Sequence, residues 1–210
     1  MKRILCLIVI LSLCVFVGCD NTKVKDQITE ESRDNEESGM EVTYEKAKHE
    51  VSQAMVQTDN CSSYKVMKKE ADVVVKGRKA DERFADSLAG NSTKYLLSHI
   101  VIEKVYKDKT NLGLEQGKKI NVHENEEYEP EYNTIYHIDD YRKMETGKDY
   151  YLFLKYTPEY DRYYILGVHR GKIPVDDNEK IFYKGDQSAA VEQDRDDIQK
   201  IVKEVQETYE

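Results

Sequence analysis

The stretch 95–106, YLLSHIVIEKVY, decides the fold. Ile100, Ile102 and Tyr106 fall on one side of an extended chain, and Val101 and Val105 on the other. A run this rich in β-branched and aromatic residues, with period two, reads as a long strand. Working outward, the same signature recurs. Residues 71–78 (ADVVVKGR) end in a β-branched run and Gly77, and residues 118–123 (KKINVH) alternate after a turn at Gly117. Residues 150–156 (YYLFLKY) follow the turn signal Gly147-Lys148-Asp149, and residues 162–169 (RYYILGVH) follow Pro158. Shorter runs at 172–175 and 181–184 complete the set. Strands at this spacing, separated by Gly, Asp and Pro turns, predict a small antiparallel barrel or sandwich.

Two segments carry a helical period instead. In 41–57, Tyr44, Ala47, Val51, Ala54 and Met55 recur at three- and four-residue steps, and Asp59-Asn60 breaks the pattern. In 186–208, Val191, Ile198, Ile201, Val202 and Val205 form a narrow stripe, with Asp186 or Ser188 available as N-cap. That stripe spans about two heptads, too few for a coiled coil, so the helix is expected to lie on the β domain. The fold class is therefore mainly β with flanking helices (α+β).

The chain opens MKRILCLIVILSLCVFVGC. Lys2 and Arg3 precede an apolar run, 4–17, broken only by Ser12. The run is short for a membrane span but suits the apolar region of an export signal. Phe16-Val17-Gly18-Cys19 resembles the lipobox of bacterial lipoproteins. The resemblance implies cleavage between Gly18 and Cys19, a diacylglyceryl thioether on Cys19, and a lipid bilayer as the first partner. It places the protein on the extracytoplasmic face of the cell membrane. An ordinary signal prefers small residues at both −1 and −3, and Phe16 is not small. Two acyl chains anchor stably where one is marginal.

Residues 20–39 are polar, charged and without aromatics, so they cannot repay their own ordering entropy. As a random coil they reach roughly 25 Å. The expected organisation is a signal at 1–18, a lipidated cysteine and tether at 19–40, a helical extension at 41–60, a β-barrel domain at 61–185, and an amphipathic helix at 186–210.

The 210 residues carry a net charge of −9 at pH 7, and −11 once Lys2 and Arg3 leave with the signal. That balance excludes a nucleic-acid partner, whose phosphates reward clustered cations, and a polybasic lipid-hugging patch. Cys6 and Cys14 leave with the signal and Cys19 is consumed by lipid, which leaves Cys61 and no internal disulfide.

The order ADVVVKG, IEKVYK, KKINV, GKDYYLFLK, YYILGVHRGKIPV, over about residues 70–185, resembles lipoproteins of low-GC Gram-positive bacteria whose domain is an OB-type barrel similar to that of tissue inhibitors of metalloproteinases. The resemblance rests on strand pattern and glycines. The animal inhibitors place an N-terminal cysteine on the protease zinc, and no cysteine begins the β domain here at Ala71, so that mechanism is not implied.

Catalytic motifs are absent: no nucleophile elbow, no phosphate-cradling loop, and no recognisable Cys–His pair. His49, His99, His123, His137 and His169 show no short metal-ligand spacing, so neither a metal nor another cofactor is expected. The acidic run 123–131 (HENEEYEPE) lacks the spacing of a calcium loop and reads as a solvated, mobile loop. Cys61, beside Asn60 and Ser62, is placed where a thiol could react, without a cation cluster to favour the thiolate.

The sixteen tyrosines are the suggestive feature. Tyr128, Tyr132, Tyr136 and Tyr141 fall between strands, and Tyr156, Tyr160, Tyr163 and Tyr164 flank Pro158. Tyrosine joins apolar area to a polar tip at low entropic cost, which suits binding surfaces. Tyr128, Tyr132, Tyr136, Tyr160 and Tyr163 form the candidate binding face, with an envelope protein or wall component as partner. A metal-assisted or hydrolytic envelope enzyme, with a site assembled across strands, is the alternative. A phage or mobile-element protein that alters the host surface is a third reading.

Overall fold

The computed structural model describes residues 43–46, 61–87, 92–138, 141–176, 178–179 and 189–209, with 43–46 and 189–194 described as backbone only. The expected signal with Gly18 and Cys19, the tether at 19–40, the strand at 181–184 and most of the helix at 41–57 lie outside these residues.

The described chain is mostly β with two helices. Strand β1 is Thr43–Lys46, followed by helix α1, Tyr64–Glu70. Then come β2, Val73–Asp86, β3, Lys94–Asp108, β4, Lys119–Glu129, and β5, Thr134–His137. Strand β6 is Asp149–Thr157, β7 is Arg162–Ile165, β8 is Lys172–Pro174, and helix α2 is Ala189–Tyr209.

One sheet runs β1-β5-β4-β3-β2-β6-β7, and a further β4–β7 pairing closes β4, β3, β2, β6 and β7 into a ring. That closing seam is parallel and consists of Val122 against Tyr163 and His123 against Tyr164. The other ring contacts are antiparallel. The long strands bend where β2 and β3 slip register, at Val74/Val75, Lys76/Gly77 and Lys79/Asp81. Extra residues in one strand of a pair increase local twist and curvature, which lets two long strands wrap. Gly77 sits at this bend, where a Cβ would lie 2.5 Å from Ile100 Cγ2 and 3.0 Å from the Val101 carbonyl oxygen.

Alternation then sorts the side chains. Val73 and Val75, Ile100 and Ile102, Ile120 and Val122, Tyr150, Leu152 and Leu154, and Tyr163 and Ile165 fill the inside of the ring. Their neighbours Val74, Tyr151 and Phe153 point outward into a second core, built with Tyr64 and Met67 of α1, Ile173, and Ile201 and Val205 of α2. Tyr209 anchors the end of α2 there, with its ring 4.2 Å from Tyr106, 5.5 Å from Tyr151 and 6.0 Å from Tyr64. The stripe expected at the C-terminal end of the chain is buried at Ile198, Ile201 and Val205.

Several expectations need correction. Residues 43–46, inside the segment with a helical period, run as a strand parallel to β5. Backbone pairing to an open sheet edge outweighs a weak apolar face there. A helix not expected from sequence, Tyr64–Glu70, precedes the ring, and Ser63 at its start accepts a hydrogen bond from the Val66 amide. Strand β7 stops at Ile165 rather than His169, because Gly167 and Val168 adopt positive φ (67° and 58°) and turn the chain. Strand β5 was not foreseen at all.

The largest correction concerns the acidic run 123–131. It is not a solvated loop: β4 continues through Glu129, and His123, Glu124, Asn125 and Glu126 are buried. Cys61 is likewise buried, packed beside Gly167, so its thiol is shielded from reagents.

Candidate binding site

Two polar constellations lie back to back on β4, one on each face. The inner one begins with a change in the strands' inward stripe. In β2 the stripe Val73, Val75, Gly77 continues to Lys79, and in β4 the stripe Ile120, Val122 continues to Glu124 and Glu126. Lys79 and Glu124 are both 0% exposed, and their Nζ and Oε1 are 3.0 Å apart. Ser98 of β3 also donates to Glu124 Oε1, while Oε2 accepts from the Tyr141 hydroxyl and the Met144 amide, each at 2.7 Å. Lys79 donates further to the Met144 carbonyl at 2.7 Å and to Glu82. Lys172 donates to the Arg142 carbonyl and stands 4.0 Å from the centre of the Tyr141 ring. His169 lies beside the same ring, 5.5 Å between centres.

Electrostatics follow from this enclosure. Burial alone would raise the Glu124 carboxyl, but the Lys79 and Lys172 charges and the donated hydrogen bonds hold it at about 2. Glu126, deprived of water, is pushed up to about 7, with the Lys143 charge pulling the other way. Burial lowers Lys172 to about 8 against the attraction of Glu124. Each charge that went inside has an opposite charge beside it, as burial demands.

The outer constellation is aromatic. His123 of β4 stacks between Tyr95 of β3 and Tyr164 of β7, with ring centres 4.5 and 5.0 Å apart. The three rings thus bridge three adjacent strands, across the seam where β7 meets β4. His123 is 4% exposed, and among the described residues neither ring nitrogen has a hydrogen-bond partner. Burial, reinforced by the positive charge of Arg162, drives its pKa down to about 3, so the ring is neutral at ordinary pH. The Arg162 guanidinium lies 4.5 Å from the centre of the Tyr95 ring and 5.1 Å from that of Tyr160. Its Nε donates to the Tyr160 carbonyl at 3.4 Å. Arg162 is 8% exposed, and among the described residues no carboxylate lies within ion-pair distance of it. The turn Pro158–Tyr160, ended by Asp161 at φ 47°, delivers Tyr160 and Arg162 to this place.

The tyrosines singled out from sequence scatter. Tyr160 joins the outer site through Arg162. Tyr163 does not: it is buried inside the ring, because the alternation of β7 turns it inward when Tyr164 faces outward. Tyr128 packs on Phe84 and donates to Asn133 at 2.8 Å. Tyr132 is 62% exposed in the turn after β4, and Tyr136 lies on β5 opposite Glu127. Sequence reasoning named Tyr164 and His123 but not their stacking, and it missed Tyr95 and Arg162.

The histidines are not gathered. His99 pairs with Asp81, which also holds Lys119 at 3.1 Å, and His137 faces Glu126 across the β4–β5 ladder. Among the described residues, no group of three or more His, Cys, Asp or Glu side chains could hold a metal ion. No protein-family model and no curated protein sequence matches the chain.

Proposed function

We propose that this chain is a lipid-anchored envelope protein whose β domain is a non-catalytic binding module of OB type. Anchoring rests on the lipobox-like Phe16-Val17-Gly18-Cys19, and Cys19→Ala is expected to leave unprocessed precursor. The OB reading is supported by the ring of five strands, with β3 and β4 second and third in chain order and a parallel seam between its third and fifth members. OB barrels bind through the face of their second and third strands and the adjoining loops. Tyr95 and His123 lie on those two strands, and Tyr160 lies in the connection between the fourth and fifth.

The observation that carries the proposal is the stack Tyr95–His123–Tyr164, with unpartnered ring nitrogens at its centre and Arg162 at its edge. A stack used only for packing gains nothing from leaving a buried polar edge unmet. The enzyme reading draws on the shifted Glu126 and Lys172, since catalytic acids and bases have such values. Glu124, Glu126, Lys79 and Lys172 are at most 1% exposed, however, which puts them out of a substrate's reach.

The test is crosslinking in live cells, followed by mass spectrometry of captured partners. One dominant envelope partner, lost in Tyr95→Ala and Tyr164→Ala, is the expected result. A partner retained in both variants would place the binding surface elsewhere.

A further inference from the structure

Resting on that reading, the nature of the occupant follows from Arg162. A nearly buried guanidinium normally has a carboxylate beside it, because desolvating a cation without a counterion is costly. Here it has two tyrosine rings and one carbonyl. Glu159, next along the turn, is hydrogen-bonded to the Tyr160 hydroxyl, which that contact raises above its usual pKa. Nε is spent on the Tyr160 carbonyl, so the two Nη groups are the donors left for an incoming anion. His123, the other polar group of the stack, brings two unpartnered nitrogens within the same enclosure and no charge.

We infer that the Nη donors of Arg162 form a receptor for one carboxylate, and that the occupant of the outer face is a peptide presenting a carboxylate to it. The planar donor fork of arginine matches the two oxygens of a carboxylate, and partial burial strengthens each charge-assisted hydrogen bond. The stack beside it offers three rings to the apolar part of the same peptide. A phosphate polymer is disfavoured on two counts. The site holds a single cation for a group of up to two charges, and a chain of net charge −9 repels an extended polyanion.

The test uses the full chain with acetate and inorganic phosphate as probes, following the Arg162 side-chain N–H resonance by NMR. Acetate is expected to shift it saturably, with Kd of about 1–10 mM, and phosphate at least tenfold more weakly. Arg162→Lys, which keeps the charge and loses the fork, is expected to weaken acetate at least tenfold. Tighter binding of phosphate, an unweakened Arg162→Lys variant, or no saturable shift by about 100 mM acetate would each overturn the inference. Should Arg162→Lys fail to fold, the comparison of the two anions on the wild-type chain decides alone. The cellular crosslink separates the two levels of argument. A partner lost in Tyr95→Ala but kept in Arg162→Met leaves the binding face standing and removes the carboxylate. A partner kept in both removes the binding face itself.

Discussion

His123 and Glu124 are neighbours in sequence, both buried, and opposite in every other respect. Glu124 faces the inside of the ring, and its two oxygens accept from Lys79, Ser98, Tyr141 and the Met144 amide. His123 faces outward between two tyrosines, and its nitrogens accept and donate nothing. The difference teaches how to separate structural polarity from functional polarity. A buried carboxylate with both oxygens met by donors of its own chain, as in Glu124, has no capacity left for a ligand; it fixes the fold at the point where the inner stripe turns from apolar to charged. A buried polar group left unmet carries a free-energy cost in the unliganded state, and a ligand that meets it recovers that cost.

If the contrast is right, the largest effect belongs to the inner side. Glu124→Ala strips Lys79 and Lys172 of their common counter-charge, and loss of one partner of a buried pair costs about 3–5 kcal/mol. Urea titration is expected to show that loss, and a stability unchanged within error would break the comparison at its strongest point.

The outer side is expressed in acid. His123 has its pKa lowered to about 3 in the folded chain from the ordinary 6.5 of a histidine, so between those values the unfolded chain binds more protons. Stability therefore falls as pH falls from 6.5 towards 3, by roughly 4 kcal/mol in total. In His123→Phe, which keeps an aromatic ring in the stack, the histidine contribution is expected to vanish, leaving stability that no longer falls as pH drops from 6.5 towards 4.5.

Glu126 works with the opposite sign. Its pKa is raised to about 7 from 4.5, so over that interval the folded chain binds more protons, and stability rises as pH falls, by about 3 kcal/mol. Glu126→Gln is expected to remove this opposing contribution, so that stability falls more steeply than in the wild-type chain as pH drops from 6.5 to 4.5. The two variants together separate inner from outer contributions in one set of pH-dependent melting curves.

The smallest effect sharpens the choice of face. Tyr132 is the most exposed of the tyrosines named from sequence, and it is not one of the three rings of the stack. Tyr132→Ala is expected to change stability by less than about 0.5 kcal/mol and to leave partner capture intact, whereas Tyr95→Ala is expected to abolish it.

The legibility of this molecule followed the same division. Strands with an apolar stripe, such as 95–106 and 150–156, could be read because alternation is a local signal. The acidic run 123–131 misled because its charges satisfy lysines distant in sequence, Lys79 and Lys172, and charge density alone resembles a solvated loop. The signal was present in a weaker form, since Ile120, Val122, Glu124 and Glu126 keep one unbroken period of two. The strand at 43–46 was illegible, because the strand it pairs with, β5, lies some ninety residues away. The outer site was half legible: Tyr160 stood out by its turn, but a stack across three strands depends on ring closure, which no window of sequence contains.

The seam between β4 and β7 has a kinetic consequence. It is made of two residue pairs, while the β2–β3 ladder runs nearly the full length of both strands. Local opening takes the least cooperative route, so the ring breathes here, and the amides of Tyr163 and Tyr164 are expected to exchange with solvent deuterium before those of Ile100 or Leu152. Tyr164 and His123 are the residues on either side of that opening. A ligand laid across them acts as a clasp, slowing the breathing of the whole ring in proportion to its occupancy.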